Sequence, residues 1–182
     1  MSDNEFSDSK LVVLALAQDE PSAFGELVRR HQSAVRHFLR HLCGDAAQAD
    51  DLAQDTFVNA FRSLRQFRGQ SSFLTWLLGI AHNRYRNARR LKREVLFAPA
   101  DLPEADPTVP EQQRSDLRSD LADALRLLDP DEQTAVHLFY HQDLSHPEIA
   151  SITGWPLGTV KTYLARAKEK LRPFLQAWNP KL

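Results

Sequence analysis

The spacing of four prolines decides how this chain can be organised. Pro99, Pro103, Pro107 and Pro110 fall within LFAPADLPEADPTVPEQQ, together with Asp101, Glu104, Asp106 and Glu111. Each proline removes a backbone donor and clashes with a helix built around it, so no helix runs through this stretch. Its few apolar side chains are too sparse to form a core. Residues 97–113 are therefore read as an extended, flexible acidic linker. They separate an N-terminal domain, 8–96, from a C-terminal domain, 114–178.

Both flanking parts carry helical spacing, and no segment alternates apolar and polar residues over the length of a strand. Phe24, Leu27, Val28, Val35, Phe38, Leu39 and Leu42 form the buried stripe of one or two helices, closed by Gly44–Asp45. Leu52, Phe57, Ala60, Phe61 and Leu64 form a second stripe; Phe73, Trp76, Leu77, Ile80, Ala81 and Ala88 form a third. Three amphipathic helices can bury these faces on one another, which predicts a compact bundle.

The C-terminal part announces its helix starts. In Asp129-Pro130-Asp131-Glu132 the first residue can cap, proline occupies the first helical position and Glu132 the third. Ser145-His146-Pro147-Glu148 repeats the pattern as a capping box. That helix should end at Thr153-Gly154, where glycine can take the left-handed turn. A new helix from about Pro156 carries Leu157, Val160, Leu164, Ala167 and Leu171 as its packing face. Helix, glycine turn and helix make a helix-turn-helix, whose second helix can enter the major groove. The fold class is thus all-α: two small helical domains, the second with a helix-turn-helix.

The net charge of −1 conceals an uneven distribution. Residues 1–96 hold 14 Lys and Arg against 11 Asp and Glu; residues 97–113 hold four acids and no base; residues 114–182 hold nine of each. Six of the ten residues Arg84–Arg93 are basic, and a local stripe of this kind matters more for nucleic acid than the total. Arg86, Arg89, Arg90 and Arg93 recur at i, i+3, i+4, i+7, so their charges crowd one helical face unless an anion relieves them. Just upstream, Phe67-Arg68-Gly69-Gln70-Ser71-Ser72 is a polar loop with an aromatic at its edge. With Asn83 and Asn87 beside the arginines, it suits unstacked single-stranded bases. On the last helix Thr159, Lys161, Thr162, Tyr163, Arg166 and Arg172 offer groups for phosphates and base edges.

Four collinear blocks resemble the sigma-70 family of RNA polymerase sigma factors, in particular the extracytoplasmic-function (ECF, group 4) type. They are DEPSAFGELVRRH, ADDLAQDTFVNAF, FRGQSSFLTWLLGIAHN and LADALRLLDPDEQTAVHLFYHQDLSHPEIASITGWPLGTVKTYLARAKEKLR. The resemblance implies a transcription initiation factor that recognises and opens promoters, with core RNA polymerase and promoter DNA as partners and an anti-sigma factor as regulator. It implies that Asp51, Gln54, Asp55 and Arg62 dock on the beta-prime clamp helices, with Leu52, Phe57 and Phe61 as core. Phe67, Arg68, Ser71, Ser72, Asn83, Arg86, Asn87 and Arg90 would serve the minus-ten element. Thr159, Lys161, Thr162, Tyr163 and Arg166 would read the minus-thirty-five element, and the beta flap would be a further contact on the polymerase. Tyr163 stands where the family frequently has arginine, and Gly79 where it often has a larger residue.

Other classes are disfavoured. Cys43 is the single cysteine, so no internal disulfide or multi-thiolate zinc site is available, and a reducing cytoplasm is expected. The polar, acidic start MSDNEFSDSK lacks the build of a signal peptide, and no apolar run is long enough to span a membrane. His37/His41 and His137/His141 have chelating spacing but no H-E-x-x-H context, so no metal is expected. Asp50, Asp51 and Asp55 resemble a nuclease cluster only in composition. With no phosphate-binding glycine loop or nucleophile elbow, neither catalytic residues nor cofactors are expected. The serious alternative, a free-standing helix-turn-helix regulator, would leave the arginine stripe and acidic linker without a purpose.

Overall fold

The computed structural model describes residues 6–17, 21–96 and 124–178, so the linker 97–113 and residues 114–123 lie outside the described residues. The side chain of Arg93 does too. The chain divides into two compact units, Met1–Pro103 and Glu104–Leu182.

Among the described residues of unit one there are four α-helices: α1 (Asp8–Ala17), α2 (Pro21–Cys43), α3 (Ala46–Ser63) and α4 (Phe73–Leu96), with a 3-10 turn at Leu64–Gln66. The first apolar stripe belongs to one continuous helix, α2. Its Phe24, Leu27, Val35, Phe38 and Leu39 are buried, with Val28 and Leu42 at the flanks. Full burial of side chains of this size contributes roughly 1.5–3 kcal/mol each, which makes α2 the spine of the unit. Gly44 ends it at φ 67°, and Asp45 then caps α3, its Oδ1 accepting from the Ala47 and Gln48 N–H groups at 2.8 and 3.2 Å.

Helix α1 was not expected from the spacing, because LVVLALA is apolar all round and has no single stripe. Leu11, Val12 and Ala15 are buried, and Asp8 fastens the helix to α2. Its carboxylate accepts from Arg30 Nη1 at 3.2 Å and lies 2.8 Å from His31 Nε2. Arg30 also donates to the Phe6 carbonyl at 2.8 Å and to Glu26 Oε1 at 2.7 Å. Hydrogen bonds from Arg29 first and Arg30 second pull the Glu26 carboxyl down to about 2.

The stripe read for α3 needs correction. Leu52 and Ala60 are buried as expected, but Phe57 is only half-buried and Phe61 is 51% exposed. The buried face is Ala49, Leu52, Ala53, Thr56 and Ala60, mostly small residues that let α3 lie close to its neighbours. The buried Thr56 hydroxyl is satisfied by donating to the Leu52 carbonyl at 2.7 Å. Phe61 follows Ala60 by about 100° of helical rotation, which carries its ring to the edge, 5.1 Å from the ring of Phe24.

In unit two, residues 124–126 are helical, followed by α5 (Pro130–Val136), a π turn at His137–His141, α6 (His146–Thr153) and α7 (Leu157–Trp178). Both expected capping signals operate. The Glu132 carboxylate accepts from the Asp129 N–H at 3.0 Å, and that of Glu148 from the Ser145 N–H at 2.9 Å. Glu132 does more than cap: it is buried, and Lys170 Nζ of α7 donates to it at 2.7 Å. Gly154 ends α6 in the left-handed conformation, φ 72°. On α7 the buried residues are Val160, Leu164 and Ala167, with Leu171 at the flank. Leu157, expected on that face, is 43% exposed instead: at about 100° per residue it falls at the edge of the stripe that Val160, Leu164 and Ala167 centre.

Candidate nucleic-acid interface and docking face

The Phe67–Ser72 loop is built against an aromatic cluster. Phe67 is half-buried, with its ring centroid 5.5 Å from Phe73 and 5.4 Å from Trp76; the His31 ring lies 5.6 Å from that of Phe73. Phe73 is core, while Trp76 is half-buried. Gly69 takes φ 69°, a conformation other residues rarely adopt. Ser72 caps α4: its Oγ accepts from the Thr75 N–H at 3.0 Å and pairs with Thr75 Oγ1 at 2.8 Å. Arg68 is exposed and Ser71 half-buried.

Along α4, Asn83, Arg86, Asn87 and Arg90 are all exposed and follow i, i+3, i+4, i+7, so two amides and two guanidiniums share one face of the helix that the loop leads into. Arg89 is exposed next to them. Beneath lies buried His82, whose ring is pushed down to about 4 by burial first and by the charge of Arg86 second, and so is neutral at pH 7. Arg84 is engaged elsewhere: its Nη2 donates to Asp55 Oδ2 of α3 at 2.8 Å.

That contact connects the basic helix to a second surface. Asp51, Gln54, Asp55 and Arg62 are all exposed on α3 and share a face at helical spacing. Alongside them sits an open depression of about 410 Å³ lined by Phe24, Phe57, Val58, Phe61 and Arg62. Val58 is 47% exposed. This apolar floor beside polar groups was missed in the sequence, although α3 has more apolar residues than one buried stripe requires.

In unit two Lys161, Thr162, Arg166 and Arg172 are exposed on α7, and Thr159 and Tyr163 are half-buried. Two of the hydroxyls have partners. Thr162 Oγ1 donates to the Gly158 carbonyl at 2.9 Å, and Tyr163 donates to Asp131 Oδ2 at 3.3 Å. The Tyr163 ring also meets Trp155 edge-on at 4.9 Å. Partial burial first, then Asp131, hold the Tyr163 phenol above its ordinary value.

Among the described residues no group of three or more His, Cys, Asp or Glu side chains is placed to hold a metal ion. His137 and His141 stack on one another, ring centroids 5.0 Å apart. Burial first, then Asp45, push the Cys43 thiol up to about 11, the opposite of what a reactive thiolate needs. Among the described residues no helix is long and apolar enough to cross a membrane.

Residues 27–94 match the family model for Sigma-70 region 2, and residues 118–171 that for Sigma-70, region 4. RNA polymerase sigma factor NccH of Alcaligenes xylosoxydans xylosoxydans is 34% identical, over 88% of this chain and 91% of that protein. The chain belongs to the extracytoplasmic-function sigma factors of the sigma-70 family. The ECF RNA polymerase sigma-E factor of Haemophilus influenzae is 31% identical, over 94% of this chain and 97% of that one. Among solved structures, the sigma factor RpoE of Bartonella quintana, in complex with the anti-sigma factor NepR, matches with TM-score 0.68 and 29% identity, covering 84% of this chain and 96% of that one. CnrH, in complex with the cytosolic domain of CnrY, matches with TM-score 0.65 and 28% identity, over 93% and 97%. The protein is accordingly an RNA polymerase sigma factor acting in promoter recognition and transcription initiation.

Proposed function

We propose that this sigma factor carries its two promoter readers on α4 and α7, and docks on core RNA polymerase through α3. The observation that carries the reading is the unbroken face of Asn83, Arg86, Asn87 and Arg90 on the helix that follows a loop braced by the Phe67, Phe73 and Trp76 rings. Phe67, Arg68, Ser71 and Ser72 edge a pocket for an unstacked minus-ten base, and Asn83 bonds that base. Arg86 and Arg90 hold its backbone while Asn87 adds an amide contact. Extrusion costs a few kcal/mol, which these contacts offset. Thr159, Lys161, Thr162, Tyr163 and Arg166 serve the minus-thirty-five duplex, Tyr163 by bracing α7 against Asp131 and Trp155. Asp51, Gln54, Asp55 and Arg62 make the polar contacts to the beta-prime clamp helices, with Val58 and Phe61 supplying an apolar contact; unit two meets the beta flap.

In this reading the domains are 8–96 and 114–178, with 97–113 as the acidic connector. The protein works in the cytoplasm, catalyses no reaction itself and needs no cofactor. An anti-sigma factor restrains it, as NepR is bound to RpoE in the relative of known structure. Run-off transcription with core polymerase, with and without the protein, on a library of upstream regions tests the whole assignment. Protein-dependent starts that share two spaced elements support it. Tight sequence-specific duplex binding without stimulation of polymerase overturns it. Asn83→Ala should impair strand opening more than polymerase binding, and equal loss of both removes Asn83 from the pocket.

A further inference from the structure

We propose that Leu157 reads a base directly, by contacting the 5-methyl group of a thymine in the upstream promoter element. The inference rests on the reading of α7 as the helix that enters the major groove. In a helix-turn-helix the residues that reach base edges lie at the N-terminal end of the second helix, and Leu157 is the first residue of α7. Its side chain is 43% exposed, although Val160, Leu164 and Ala167 of the same helix are buried. At 3.6 residues per turn, Leu157, Gly158, Lys161, Thr162 and Ala165 share one side of the helix, away from the centre of the packed stripe.

The chemistry of that side is more apolar than a list of its polar residues suggests. A Cβ added to Gly158 would meet nothing within 4 Å, and Ala165 is exposed, so between the longer side chains the surface is low and open to a close approach. The Thr162 hydroxyl proton is donated to the Gly158 carbonyl at 2.9 Å. Tyr163 is drawn to Asp131 and Trp155 on the other flank. Lys161 remains as the cation of this side, with Leu157 as its one large apolar group. A leucine beside a cation, facing a duplex, fits a base that offers a methyl group within an otherwise polar groove. In the major groove only thymine does so.

Single deoxyuridine-for-thymine replacements in the upstream element test this cleanly, because they remove the methyl group and leave pairing intact. Initiation by core polymerase with the full-length wild-type protein is measured on each template and compared with that of Leu157→Ala. One replacement should reduce wild-type initiation by about four-fold, the scale of burying one methyl group. Leu157→Ala should show a comparable loss on the thymine template and no further loss on the deoxyuridine template. Because Leu157 is exposed, the variant should keep the wild-type helical circular dichroism. An element without thymine, a wild type indifferent to every replacement, or a variant as sensitive as the wild type each overturns the contact. No protein-dependent start on any thymine template fails the promoter reading itself, a result distinct from those three.

Discussion

The basic helices α4 and α7 reach similar surfaces by different routes. Helix α7 is set by local signals: a left-handed Gly154 before it, Pro156 at its threshold, and a packing stripe of Val160, Leu164 and Ala167. Helix α4 is set by its surroundings. Its cap, Ser72, belongs to a loop held in place by aromatic rings, and its neutral His82 depends on burial under the basic face. Loss of the rings that hold the Ser72 loop would therefore reach the start of α4, whereas the start of α7 depends on the turn at Gly154 and Pro156. For a sigma factor the difference matters, because strand opening is proposed for α4 and duplex reading is proposed for α7.

The comparison predicts which unit fails under each insult. The largest effect is expected for Phe38→Ala, which empties the centre of α2. It should destabilise unit one by about 3–5 kcal/mol, read in urea by the fluorescence of Trp76, and leave the transition of unit two in place. A single shared transition would show that the units do not fold separately. Next is acid. His82 is neutral in the fold, with its value depressed from 6.5 to about 4, so its contribution is complete above pH 6.5 and is lost as pH falls from 6.5 toward 4. Unit one should lose roughly 3 kcal/mol across that window by linkage. His82→Gln should flatten that part of the stability curve; an unchanged slope would assign it to other groups.

Unit two offers the reciprocal experiment. Glu132→Gln keeps the shape but removes the buried charge that meets Lys170 at 2.7 Å and the Asp129 N–H at 3.0 Å. The loss should be about 2 kcal/mol, larger than a helix cap alone explains, with unit one unaffected. A loss near 0.5 kcal/mol would reduce Glu132 to a cap and return unit two to purely local control. The smallest effect concerns Asp55 and Arg84. Their contact is well exposed, so a double-mutant cycle in Asp55→Asn and Arg84→Gln should give a coupling of about 0.5 kcal/mol in stability. A coupling in polymerase binding well above that figure would show that the pair also acts at the docking face.

Much of this architecture is legible in residues alone, where the determinant is local. The two capping starts, the glycine stops at Gly44 and Gly154, and the single long stripe of α2 depend on neighbours in sequence, and the backbone follows them. The family too is legible, since collinear blocks survive as text. What spacing cannot decide is which of several apolar residues a helix turns inward. On α3 the small residues Ala49, Ala53 and Ala60 are buried and Phe61 is left at the edge, because close approach of helices favours the small side chains. Long-range partners are equally invisible in sequence: Glu132 with Lys170, Asp55 with Arg84, and Tyr163 with Asp131 are separated by 38, 29 and 32 residues. The exposure of Leu157 is of the same kind. The sequence determined the capped helix starts of the second unit, the glycine stops and the family; packing in three dimensions decided the rest, above all which side chains face outward to act.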